Sequence, residues 1–145
     1  MTHEHEGRYR TKRELNTQLD SHVTDRIWKK VDNGRLTCAS AFVIAREAGR
    51  TPAEVGRHAD LLETKITACQ LGLFGHVRER RNIVEPAEKV SNELEEALRG
   101  KIVDGRLPCR EAWKIAERFG VSKMQITAAC ERLKIRFSEC QLGTF

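Results

Sequence analysis

Residues 105–126 read GRLPCREAWKIAERFGVSKMQI, and residues 34–55 read GRLTCASAFVIAREAGRTPAEV. The two stretches align without a gap when the chain is shifted by 71 residues. The alignment extends over residues 20–74 and 91–145, and both segments end in the pattern CQLG-x-F. A gapless match of this length indicates an internal duplication, so we expect the fold to contain two copies of one small unit.

Composition limits the classes of function. The 145 residues carry a net charge of +5, which permits nucleic-acid binding without requiring it. No apolar run approaches the ~20 residues of a membrane span, and the polar N-terminus lacks the apolar segment of a signal peptide. We therefore expect no membrane partner and a cytoplasmic location. We find no Ser/His/Asp arrangement, glycine-rich phosphate loop or paired carboxylates, so we do not expect an enzyme.

Charge, glycine and proline divide the chain into four segments. We predict a basic flexible arm at 1–13, a first repeat at 14–75, a linker at 76–85 and a second repeat at 86–145. A unit of about 60 residues buries little surface and is marginal alone. The repeats are therefore expected to pack on each other or on a partner, which leaves a homodimer or another protein open.

Apolar spacing predicts three helices in each repeat and an all-α fold. First helices are expected around Leu15–Val31 and Val90–Ile102, second helices near 37–48 and 108–119, and third helices near 51–62 and 122–133. Pro86 suits the first turn of its helix. Glycine after Asn33 and after Asp104 suits the end of each first helix.

The segment after each third helix is less regular. Ile135-Arg136-Phe137 alternates like a short strand, although so few residues leave irregular backbone open as well. In the CQLG turn that follows, we expect the glycine to adopt a positive φ. Leu71 and Phe74 are expected to fix the tail to the core.

The corner between the second and third helices has a recognisable pattern. Ala116, Gly120, Ser122 and Ile126 place a small residue, a glycine turn, an N-cap and a branched apolar residue at set distances. This pattern resembles the helix-turn-helix superfamily of DNA-binding proteins. The first repeat matches it with four further residues: Ala45, Gly49, Thr51 and Val55. The resemblance implies two tandem three-helix units, with Val55, Ala59, Ile126 and Cys130 facing inward.

In that superfamily the second helix of the motif lies in the major groove, and its first residues meet base edges. The resemblance therefore implies sequence-specific binding of double-stranded DNA and transcriptional regulation. The implied contact residues are Ser122, Lys123, Met124, Gln125, Thr127, Ala128 and Arg132, with Thr51, Ala53 and Arg57 in the first repeat, where Gly56 also faces outward. Arg8 and Arg10 of the basic arm could enter a minor groove or follow phosphates, and a solvated tail is the alternative interpretation. The alternative function is a protein-interaction adaptor built on the same units.

Charge distinguishes the two repeats. Residues 46–65 contain four basic and four acidic side chains, whereas residues 117–136 contain five basic and two acidic side chains, a net charge of +3. Because phosphate contacts supply most non-specific affinity, we predict that the second repeat binds DNA more strongly.

Five cysteines without a close pair indicate reduced thiols. Cys38 aligns with Cys109, and Cys69 aligns with Cys140. A four-thiolate metal or redox site is one interpretation, and buried thiols at equivalent packing positions are the simpler one. We expect no cofactor, and we expect Cys130 in the core.

Overall fold

The computed structural model describes residues 19–76 and 83–145. Within these ranges the chain is mainly helical, and the element order α–β–α–α–β occurs twice. The first repeat contains α1 (Ser21–Lys30), β1 (Arg35–Thr37), α2 (Cys38–Ala48), α3 (Pro52–Leu61) and β2 (Lys65–Thr67). The second contains α4 (Asn92–Arg99), β3 (Arg106–Pro108), α5 (Cys109–Phe119), α6 (Lys123–Leu133) and β4 (Arg136–Ser138). Over the described residues, every helix is too short or too polar to cross a membrane.

The first helix of each repeat is shorter than the apolar spacing predicts. Asp20 caps α1 by accepting the His22 N–H at 2.9 Å, and Ser91 caps α4 by accepting the Leu94 N–H at 3.2 Å. The prediction that Pro86 lies in the first turn of α4 is therefore wrong, because the helix begins after the Ser91 cap. Leu15 lies outside the described residues.

The Asn-Gly and Asp-Gly pairs do not cap these helices. Asn33 and Gly34 both have positive φ, at 55° and 74°, and Asp104 and Gly105 repeat this at 50° and 79°. Two consecutive left-handed residues form the tight turn that reverses a short hairpin. Each pair therefore directs the chain into a strand, after its helix has already ended.

The strands make the fold mainly helical rather than all-α. The expected extended segments after the third helices are β2 and β4, and each pairs in parallel with a strand that the sequence analysis did not predict. Leu36 aligns with Ile66 in one sheet, and Leu107 aligns with Phe137 in the other. Each sheet thereby joins the start and the end of the helix pair that lies between its strands.

Two hydrophobic cores form, one in each repeat. Val55, Ala59, Ile126 and Cys130 are buried as predicted. Each core also receives the C-terminal tail of the other repeat. Leu71 of the first tail (residues 68–76) packs in the second core, and Leu142 of the second tail (residues 139–145) packs in the first.

Equivalent points on the two third helices receive the exchanged tails. Thr127 of α6 donates a hydrogen bond from its hydroxyl to the Leu71 carbonyl at 2.7 Å. Its counterpart Gly56 on α3 lies against the Leu142 carbonyl, where a Cβ atom would overlap the oxygen. The tails therefore fix the repeats together by reciprocal contacts, as the two chains of a symmetric dimer do.

Candidate nucleic-acid interface

The corner between the second and third helices has the same backbone in both repeats. Gly49 ends α2 at φ 65° and ψ 39°, and Gly120 ends α5 at φ 66° and ψ 31°. Glycine enters this left-handed region without the Cβ strain that other residues suffer. The following N–H then bonds back into the helix, from Arg50 to the Ala45 carbonyl at 2.9 Å in the first repeat. Each corner thus redirects the chain within three residues.

Capping boxes fix the start of α3 and α6. The Thr51 hydroxyl accepts the Glu54 N–H at 3.2 Å, and the Glu54 carboxylate accepts the Thr51 N–H at 2.8 Å. Ser122 and Gln125 repeat the arrangement at 3.1 and 2.7 Å. These bonds satisfy N–H groups that the first helical turn leaves free. Polar side chains at these helix starts therefore already have a structural role.

An exposed stripe runs along the third helix of each repeat. On α6 the side chains of Met124, Gln125, Glu131 and Arg132 are exposed, and Ala128 is half-buried. The residues predicted to contact DNA that the structure leaves exposed are Ser122, Met124, Gln125, Arg132, Thr51, Ala53 and Arg57. Contact with DNA stays a prediction for all of them. Arg8 and Arg10 lie outside the described residues.

Thr127 does not face outward, and that prediction is wrong. Its side chain is fully buried because the first tail lies across α6, where the Leu71 carbonyl accepts a hydrogen bond from the Thr127 hydroxyl. Gly56 is buried for the equivalent reason under Leu142. The Ala128 carbonyl accepts the Ala87 N–H at 2.9 Å, so the segment before α4 also borders this helix.

The ammonium group of Lys123 is only partly available for contact with DNA. Its ammonium group lies 4.4 Å from the centroid of the Trp113 ring, an arrangement that attracts a cation to the ring face. The side chain is half-buried in this position. A phosphate contact by Lys123 would compete with the ring for the charge.

Opposed cations mark the start of both sheets. Arg35 aligns with Lys65 across β1 and β2, and Arg106 aligns with Arg136 across β3 and β4. All four side chains are exposed, and like charges at opposite positions repel each other. Arg106 also donates to the Phe137 carbonyl at 3.3 Å, which holds its guanidinium beside the strand. Each strand pair thus carries a positive charge that an anion would neutralise.

An aromatic pair joins the repeats at equivalent positions. Phe42 of α2 aligns with Trp113 of α5, and their ring centroids lie 4.2 Å apart at 35°. Contact between equivalent residues is what an approximate two-fold relation between the repeats produces. The pair and the exchanged tails together indicate such a relation.

Four of the five cysteines occupy equivalent positions in the two repeats. Burial is the main cause that raises the pKa of Cys38 to about 11, and the other three of these thiols contribute in the same direction. The Gln70 and Gln141 amides point at the sulfurs of Cys38 and Cys109 at 3.9 and 3.6 Å. Within 19–76 and 83–145, no group of three or more potential ligands is arranged to hold a metal ion. Cys130 is buried elsewhere in the second core, as predicted.

The strand cations and the aromatic pair were not among the residues predicted from the sequence. Both had a signal in the repeat alignment, because Arg35 matches Arg106 and an aromatic residue stands at positions 42 and 113. The chain as a whole matches no protein-family model, no curated protein and no solved structure in the comparisons made.

Proposed function

We propose that the chain binds double-stranded DNA sequence-specifically through α3 and α6, as a tandem helix-turn-helix protein that regulates transcription. The observation that carries the proposal is the repeated corner, which presents a capped helix with an exposed stripe twice in one chain. A capped helix of about ten residues fits the width of the major groove.

The strand cations support the same proposal. In both repeats two like charges face each other at the start of a sheet whose second strand follows the third helix. Phosphates neutralise such charges with release of counterions, which supplies sequence-independent affinity. In this proposal the helix stripes meet bases, and Arg35, Lys65, Arg106 and Arg136 meet the backbone.

The approximate two-fold relation predicts the form of the DNA site. A symmetric dimer binds two half-sites related by a two-fold axis, and the duplicated chain carries the same relation within one molecule. Met124 and Arg132 in the α6 stripe correspond to the exposed Ala53 and the half-buried Leu61 on α3, so the half-sites need not be identical. We therefore expect an imperfect inverted repeat.

The test is selection of DNA fragments by the purified full chain, followed by fluorescence anisotropy at about 50 to 200 mM salt. We expect the logarithm of affinity to fall linearly with the logarithm of salt concentration. Arg136→Ala should reduce that slope by about 1 and weaken all sequences alike, while the exposed control Lys29→Ala should leave it unchanged. No selected sequence and no binding at the lowest salt would exclude the proposal.

Two further variants test the asymmetry between repeats. Arg132→Ala on α6 should weaken binding more than Arg57→Ala on α3, because positive charge is concentrated near α6. Equal effects would contradict the prediction.

The adaptor function has less support. The large apolar side chains that are exposed among the described residues are Trp28, Ile83, Val103, Met124 and Phe145. Met124 alone of these belongs to a third helix, so the exposed stripes lack the broad apolar patch that a helix-docking partner would cover.

A further inference from the structure

A pocket lies beside the corner of the second repeat. It has a volume of about 800 Å³, within the range of small-molecule sites. Three segments form it: the first tail, α5 from Arg110 to Glu117 with the start of α6, and Gln141 of the second tail. The first tail, which crosses from the other repeat, therefore forms one side of the pocket.

The polar side chains of the pocket favour an anion. Arg110, Lys114 and Lys123 line it, and Glu117 is its one carboxylate, so the lining has a net charge of +2 with His76 counted as neutral. Among the described residues, neither Arg110 nor Lys123 has a carboxylate within 4.0 Å. The Lys114 ammonium forms a salt bridge with the Glu111 carboxylate at 3.7 Å, and Glu111 does not line the pocket.

Trp113 supplies an unused donor. Its indole Nε1–H is buried and has no acceptor among the residues that the structure describes. A buried donor without a partner costs about 1–3 kcal/mol, and Trp113 itself lines the pocket. The remaining lining includes the apolar side chains of Ala116, Val121 and Met124. This combination suits a molecule with a flat apolar body and an anionic group.

The first repeat serves as an internal control for this chemistry. The three cations are replaced there by uncharged residues, since Arg110, Lys114 and Lys123 align with Ala39, Val43 and Pro52. Glu117 aligns with Arg46, so the one carboxylate has also changed. A duplicated packing interface requires none of these charges, whereas an anion site in the second repeat accounts for the three cations.

We propose that this pocket binds a small organic anion, a carboxylic acid with a flat apolar body. The carboxylate meets Arg110 and Lys114 by charge-assisted hydrogen bonds, and the body packs against Val121 and Met124. Ser122 and Lys123 begin α6 and also line the pocket, so the ligand should lower the affinity for DNA. That last consequence rests on the proposed function, but the binding itself does not.

The test follows the indole N–H signals of the full chain by two-dimensional NMR, without DNA. The probe is 2-naphthoate, with acetate as the anion without a body and 2-naphthalenemethanol as the body without a charge. Trp28 is exposed on α1 and provides a reference signal that Trp28→Phe assigns. We expect 2-naphthoate to shift the Trp113 signal saturably, with a Kd below about 1 mM, and to leave the Trp28 signal in place.

Variants then locate the anion. Arg110→Ala and Lys114→Ala should each raise the Kd about tenfold, while Lys29→Ala should keep it within about twofold. All three side chains are exposed, so these variants are expected to fold. The proposal fails if 2-naphthoate leaves Trp113 unshifted, if acetate or the alcohol binds equally well, or if Arg110→Ala behaves like Lys29→Ala. A shift without any DNA affinity would support the pocket and reject the proposed function.

Discussion

Gly56 and Thr127 show how one duplicated position can serve the same contact in two ways. Both receive the backbone of a crossing tail, Thr127 through a hydroxyl hydrogen bond and Gly56 through the absence of a side chain. The position on α3 therefore tolerates no larger residue, although a glycine inside a helix costs about 1 kcal/mol relative to alanine.

Gly56→Ala should destabilise the protein despite alanine's higher helix propensity. The new Cβ would overlap the Leu142 carbonyl oxygen, so the second tail must move and Leu142 must leave the first core. We expect a loss of about 2–4 kcal/mol in the free energy of unfolding, measured by chemical denaturation. Gly100→Ala, at an exposed residue with right-handed backbone, is the matched control and should stay within about 1 kcal/mol. A stabilised Gly56→Ala would contradict the described contact.

Cys130 gives a pH dependence whose sign can be worked out. Burial raises the pKa of its thiol from 9.0 to about 12. Between these values the unfolded chain loses the proton while the folded chain keeps it, so the unfolded state binds fewer protons and stability falls as pH rises. The stabilising contribution is fully present below pH 9.

Denaturation at a series of pH values from 8 to 11 should therefore show a declining free energy of unfolding. Lysines also titrate in this range, so the comparison is with Cys130→Val, which removes the thiol and keeps an apolar side chain. The decline should be shallower in that variant. Identical slopes would mean that the thiol is not protected by folding.

At the scale of elements, local signals predict the helices and leave β1, β3 and the crossing of the tails unpredicted. The second and third helices follow from apolar spacing, terminal glycines and capping residues that lie within a few positions of each other. The strands β1 and β3 have three residues each, and their partners lie about 30 residues away, so no local pattern separates them from a loop.

The candidate interface likewise combines features that local sequence predicts with features that depend on distant residues. The corner with its caps is local and could be predicted, including Ser122 and Thr51 as N-caps. The burial of Thr127 could not, because the residue that covers it is 56 positions away. Leu71 also shows this limit: its apolar character indicates a core residue but not which repeat provides the core.

The crossing of the tails makes a prediction about where a perturbation appears. Leu71→Ala removes a fully buried side chain from the second core, so amide NMR signals should change most around α6 rather than α3. Leu142→Ala should do the reverse. Each change should cost about 2–4 kcal/mol of unfolding free energy, whereas Val103→Ala, at an exposed side chain, should cost under about 0.5 kcal/mol. Signals that change within the residue's own repeat would show that the tails do not cross.

At the scale of the whole molecule, reciprocal exchange joins two marginal units into one. Each core lacks an apolar residue until the other repeat supplies it, and the Phe42–Trp113 contact lies between them. A unit of about 60 residues buries too small a share of its surface to be stable with a wide margin. The exchanged tails increase the buried surface of both units at once.

This coupling predicts one unfolding transition for the full chain, although its sequence contains two repeats. Loss of either repeat removes a tail from the other core, so a half-folded species would expose Leu71 or Leu142 together with the aromatic pair. Thermal unfolding should give calorimetric and van't Hoff enthalpies that agree. Far-UV circular dichroism and Trp113 fluorescence, measured in a Trp28→Phe background, should give coincident curves.

Phe42→Ala should lower the midpoint and keep the single transition, because both tail contacts remain. Two separated transitions in the parent chain would mean that the tails dock too weakly to couple the repeats, and the two helix stripes would then lack the fixed relation that an inverted-repeat DNA site requires.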